Sequence, residues 1–103
     1  MHSVETFEFT AELWEWDAQG GWFFVTLPPD LSEDVRFDAG PPRGFGSVRV
    51  EVTVGSTTWR TSVFPSNETG SFVLPVKKAV RRAEGIDAGD PVAVSLTLVD
   101  AAP

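Results

Sequence analysis

Apolar and polar side chains alternate at a period of two along most of this chain, which predicts β-strands. Over residues 5–16, Phe7, Phe9, Ala11 and Leu13 fall on one face, and Glu8, Thr10 and Glu12 on the other. Asp17-Ala18-Gln19-Gly20-Gly21 reads as a turn, and residues 22–27 as the returning strand of a hairpin. Residues 47–54 place Val48, Val50, Val52 and Val54 inward and Arg49, Glu51 and Thr53 outward. Gly55-Ser56 is a two-residue hairpin signal, with the partner strand over residues 57–64. A short strand is predicted over 71–74, and another over 91–99, with Val92, Val94, Leu96 and Leu98 on one face. Six short strands at this spacing predict a barrel or a sandwich, because an open sheet would leave unpaired edges.

One helix interrupts the strands. Val76, Ala79, Val80 and Ala83 stand at i, i+3, i+4 and i+7, an apolar stripe of helical period. Pro75 lies just ahead of it, and Gly85 is the expected left-handed cap at its end. A weaker helical or turn segment follows Pro28-Pro29, where Asp30 or Ser32 is placed to cap a turn running through Val35. The two halves also look alike. Phe24-Val25-Thr26-Leu27-Pro28 parallels Phe72-Val73-Leu74-Pro75, and each string leads through a turn or helix into an alternating strand. This reads as a strand–Pro–helix–strand unit used twice, although alternating valine runs resemble one another by default.

Composition narrows the chemistry. The 103 residues suit a single domain spanning 1–103, large enough to fold around one core without metal or disulfide. Cysteine is absent and the single histidine is His2, which excludes disulfides, thiolate sites, cysteine nucleophiles and Ser-His-Asp triads. Eight basic against fifteen acidic residues give a net charge of −7, which disfavours nucleic acid and anionic membranes as general partners. The longest apolar run is far short of the ~20 residues a spanning helix needs. Met1-His2-Ser3-Val4-Glu5 carries neither a basic flank nor an apolar segment, so the cytoplasm is the expected compartment. Asn67-Glu68-Thr69 fits the glycosylation sequon and reads more simply as a loop.

Two resemblances follow from longer patterns. Leu74-Pro75, the basic segment Lys77-Lys78-Ala79-Val80-Arg81-Arg82, Gly85-Ile86 and Gly89-Asp90-Pro91-Val92 together resemble AbrB/MazE-type swapped-hairpin domains. Over nearly its full length, the chain is closer to the bacterial domain of unknown function 1905 family. The residues carrying that likeness are Phe7 through Leu13, Gly21-Trp22-Phe23-Phe24-Val25 with Leu27-Pro28, Val48 and Val50 with Gly55 and Trp59, Pro65, Gly70 with Phe72, and the segment 74–92. This resemblance implies a double-split β-barrel, in which two half-units that are separate chains in an AbrB-type dimer form one chain. It brings no catalytic or ligand-binding residues with it.

Three groups of side chains are candidates for function. Lys77, Lys78, Arg81 and Arg82 hold half of the basic residues on one helix face and suit a phosphate or carboxylate, with Arg36 and Arg43 as further contributors. A solvated face whose charges pair with Glu84 and Asp87 explains the same pattern. Trp14 and Trp16 fall on the Thr10/Glu12 face, opposite Phe7 and Leu13, so either a bulge intervenes or indoles line a second surface, shared with Trp22 or Trp59. The carboxylates Glu8, Glu12, Glu15 and Asp17, and the cluster Glu33, Asp34 and Asp38, have no calcium-loop spacing and no adjacent nucleophile, and read as a charged, solvated surface. Gly40-Pro41-Pro42-Arg43-Gly44-Phe45-Gly46 lacks the spacing of a phosphate loop, leaving Arg43 as an isolated cation.

The expectation is an all-β, double-split barrel of about six strands with one short helix. It is monomeric and acts as a binding or accessory module without catalysis, cofactor or metal. The candidate ligand contacts are Arg43, Lys77, Lys78, Arg81, Arg82, Trp14 and Trp59, toward an unknown small ligand or protein partner. The alternative is an AbrB/MazE-like DNA-binding regulator or antitoxin-like protein. A small enzyme using surface carboxylates ranks below both, because no activating group stands beside them.

Overall fold

A computed structural model describes residues 6–18, 20–39 and 46–99. Its seven strands are β1 (Thr6–Glu12), β2 (Trp14–Glu15), β3 (Phe23–Thr26), β4 (Val48–Val54), β5 (Thr57–Pro65), β6 (Phe72–Pro75) and β7 (Pro91–Leu98). Two helices, α1 (Pro29–Ala39) and α2 (Lys78–Glu84), each follow a short strand. The strands form one sheet in the order β1-β7-β4-β5-β6-β3-β2, with every pairing antiparallel.

The ends of that order meet. β1 and β2 belong to one run of chain that changes partners at Leu13, from β7 on one side to β3 on the other. Leu13 is fully buried, donates its N–H to the Asp90 carbonyl and accepts the Gly89 N–H at its own. β5 does the same between Val63, opposite Val48 on β4, and Phe64, opposite Val73 on β6. These two partner exchanges bend the sheet around its core and make it a nearly closed barrel, mostly β, with two short helices.

An internal two-fold relates the halves. In each, a long strand that changes partners is followed by a short strand, a helix and a final strand. The short strands β3 and β6 pair with each other, as do the final strands β4 and β7. Reciprocal hydrogen bonds, Leu27 N–H to the Phe72 carbonyl and Val76 N–H to the Phe23 carbonyl, both 2.9 Å, fix the equivalences. Phe23 thus corresponds to Phe72, and Leu27 to Val76. The match suggested by the Phe-Val…Pro strings is one residue out at the phenylalanines and two at the prolines, because hydrogen-bond register follows the inward side chains and not the prolines.

The core is the inward set that the alternation marks. Phe7, Leu13, Val25, Leu27, Val50, Val52, Val54, Val63, Leu74, Val92, Val94 and Leu96 are all buried. The helices cover the barrel with one apolar anchor each, Val35 on α1 and Val80 on α2. α2 ends at Gly85, whose φ of 66° is the left-handed cap conformation. Its apolar stripe is narrower than expected: Val76 and Val80 are buried, while Ala79 and Ala83 are exposed. The segment expected to be a weak helix or a turn through Val35 is the longer helix, α1. Its helical period is faint because a buried serine, Ser32, sits where an apolar residue would have signalled it; its hydroxyl accepts the Phe72 N–H at 3.1 Å. No helix among the described residues is long and apolar enough to cross a membrane.

Candidate functional site

The hairpin end at Trp22 and Phe23, the middle of β5 and the start of α2 enclose a cleft of about 310 Å³. Trp22, Phe23, Trp59 and Pro75 supply apolar walls, and Lys77, Lys78 and Arg81 supply charge. Each side chain has a structural reason to be there. Trp59 lies opposite Val52 in the β4–β5 register, so it shares the inward face, half-buried against the core. Phe23 precedes the buried Val25 by two and points the same way. Arg81 sits one residue after the anchor Val80, at the edge of the helix that meets the barrel.

Arg81 is the best-fixed of the charged groups. Its guanidinium lies 3.8 Å from the centre of the Phe23 ring, and Nη1 donates to the Val76 carbonyl at 2.8 Å. The side chain is half-buried, whereas Lys77, Lys78 and Arg82 are exposed. Among the described residues, no carboxylate lies within ion-pair distance of these four cations. Glu84 and Asp87, expected to balance them, are engaged elsewhere. Glu84 reaches across to the β4–β5 turn and accepts from the Thr57 hydroxyl at 2.5 Å and from the Ser56 N–H and hydroxyl at 3.3 Å. Asp87 accepts the N–H of Ala88 within its own loop. Arg60 lines the cleft too, with its Nε on Glu51 at 3.2 Å.

These elements fall within one family description. A family model, Domain of unknown function (DUF1905), matches residues 9–96. The chain belongs to the DUF1905 family. No curated protein matches it.

Within this DUF1905 domain, the expected site residues separate. Lys77, Lys78, Arg81 and Trp59 come together at the cleft, and Arg82 lies outside its lining. Trp14 is on a different surface: its indole N–H donates to the Thr26 hydroxyl at 2.9 Å, and its ring meets Phe24 at 5.1 Å between centroids. Phe24 in turn stacks with Trp22 at 6.3 Å. The aromatic residues opposite the Leu13 face therefore form an outer ladder at the β2–β3 corner, with no bulge turning Trp14 inward. Arg36 does not reach the cleft. It lies over Phe72 at 5.2 Å and pairs with Glu33 at 2.8 Å. Arg43 and His2 lie outside the described residues. Glu15 serves the hairpin by accepting the Gly21 N–H at 3.0 Å.

The sequence reading missed Phe23 as a site residue, and named Trp22 only as a sharer of the Trp14/Trp16 surface. The available signal was the run Trp22-Phe23-Phe24, which breaks the alternation and puts aromatic side chains on both faces of a strand that needs only one for its core.

Proposed function

We propose that this domain is a non-catalytic binding module whose cleft takes a small organic anion. The observation that carries the reading is Arg81: a guanidinium fixed over Phe23 and against the Val76 carbonyl, facing a cleft, with no carboxylate of the described residues to neutralise it. In a chain of net charge −7, gathering Lys77, Lys78 and Arg81 at one aromatic-walled cleft is a local reversal of sign that draws in an anion. The apolar walls give such a ligand area to bury, and the cations orient it.

The DNA-binding regulator reading rests on the same basic helix and has less behind it. Four cations compete with fifteen carboxylates, and the half that resembles an AbrB-type unit is already paired with the first half of its own chain. The same internal pairing supports a monomer, which sedimentation at several concentrations tests; a stable mass of twice the formula value overturns it.

Tryptophan fluorescence with small aromatic carboxylates and phosphomonoesters tests the binding reading. A saturable change in the wild type, abolished in Arg81→Met at unchanged melting temperature, is the expected result. A response that survives Arg81→Met removes the proposal. A duplex DNA titration run alongside gives steeply salt-dependent binding only if the regulator reading holds.

A further inference from the structure

Resting on that reading, we infer that the ligand group seated on Arg81 is a carboxylate carried by a flat apolar body, such as an aryl carboxylate. The internal two-fold supplies the argument. Phe23 and Phe72 are equivalent by their reciprocal hydrogen bonds, and each carries a guanidinium from the helix of the other half of its strand pair. Arg36 reaches Phe72 from about one helical turn further along α1 than Arg81 does along α2.

In the first half this arrangement is complete. The Arg36 Nη1 donates to the Glu33 carboxylate at 2.8 Å, and Nη2 to the Gly70 carbonyl at 3.0 Å. Guanidinium, phenyl ring, backbone carbonyl and carboxylate are all drawn from the protein, and Phe72 beneath them is buried. In the second half three of the four recur: Arg81, the half-buried Phe23 and the Val76 carbonyl. No carboxylate of the described residues recurs here: Lys78 stands three residues before Arg81, as Glu33 does before Arg36, and with Arg81 it lines the cleft of about 310 Å³. An external carboxylate completes the set.

The cleft is at the small end of ligand pockets, which run from roughly 300 to 1,000 Å³, so the occupant is small. Trp22 and Trp59 line the cleft with aromatic side chains, against which a flat body packs well. The guanidinium's planar fork matches a carboxylate in two parallel bonds, which an ammonium at the same place would not.

The experiment is an NMR titration of the intact chain with benzoate, phenyl phosphate and benzyl alcohol, following backbone amides and indole N–H signals. Benzoate is expected to shift the Trp22 and Trp59 indoles and to saturate, while the Trp14 indole, held by Thr26, stays in place. Benzyl alcohol should bind at least tenfold more weakly, and Arg81→Lys should weaken benzoate about tenfold without lowering the melting temperature. If phenyl phosphate binds tighter than benzoate, the carboxylate assignment is overturned and the anion cleft stands. If benzoate binds no better than benzyl alcohol, and phenyl phosphate does not bind, both fall.

Discussion

Helix α1 carries Asp30, Glu33, Asp34 and Asp38 around a single cation, Arg36, whereas α2 carries Lys78, Arg81 and Arg82, with Lys77 ahead of it, around a single carboxylate, Glu84. The two helices occupy equivalent places on the barrel and each seats an arginine on an equivalent phenylalanine. In the first half that arginine is neutralised within its own helix; in the second the carboxylate is sent away to brace a hairpin turn. The scaffold tolerates either charge because the residues beneath, Val35 with Ser32 and Leu31 on α1 and Val80 on α2, are uncharged and face the core. Charge on the outer surface of such a helix is free to serve a ligand while the inner surface keeps the fold.

The largest test of that comparison is to break the anchors. Val35→Asp and Val80→Asp each bury an unpaired charge at a site now almost fully enclosed, and each should cost several kcal/mol, on the order of 3–5, in denaturant unfolding. A variant melting within a few degrees of the wild type would mean that its helix does not pack as described. Ser32→Ala is next. It strips the acceptor from the buried Phe72 N–H, which has no counterpart in α2, and should cost about 1–3 kcal/mol. Glu84→Ala should remove about 1 kcal/mol by freeing the β4–β5 turn, seen as faster amide exchange at Ser56. The smallest effect belongs to Glu33→Gln: an exposed ion pair at i,i+3 should yield no more than about 0.5 kcal/mol by the same denaturation assay. A large loss there would show that the acidic helix depends on its internal pair, and would weaken the analogy with the open site.

The strands were legible because a half-buried strand writes its period directly into sequence: Val50, Val52 and Val54 alternate with Arg49, Glu51 and Thr53 as they do in space. α1 was under-read because two of its inward positions are Ser32 and the half-buried Leu31, so the stripe is short and partly polar. The cleft was half legible. Lys77, Lys78 and Arg81 are neighbours in sequence, but what sets Arg81 apart is Phe23, more than half the chain away, and no local pattern announces that contact. The same holds for Glu84, whose sequence neighbours suggest ion pairs with adjacent cations, while its partners are Ser56 and Thr57 at the β4–β5 turn. Register, too, comes from long-range pairing, so the two prolines match in sequence while the hydrogen bonds set a different alignment.

The run through Leu13, which exchanges β7 for β3, also shapes how the chain reaches this state. Thr6 pairs with Thr97, so the first strand cannot acquire its main partner until the last has been made. That gives the fold a high contact order, and a high contact order slows folding because a long loop must be closed before its contacts reward it. During synthesis the strand β1, with Phe7 and Phe9 on its inward face, stays without its partner until the ribosome has passed Leu98. Its three glutamates nearby, Glu8, Glu12 and Glu15, then act as gatekeepers, keeping a waiting apolar strand from pairing with other chains.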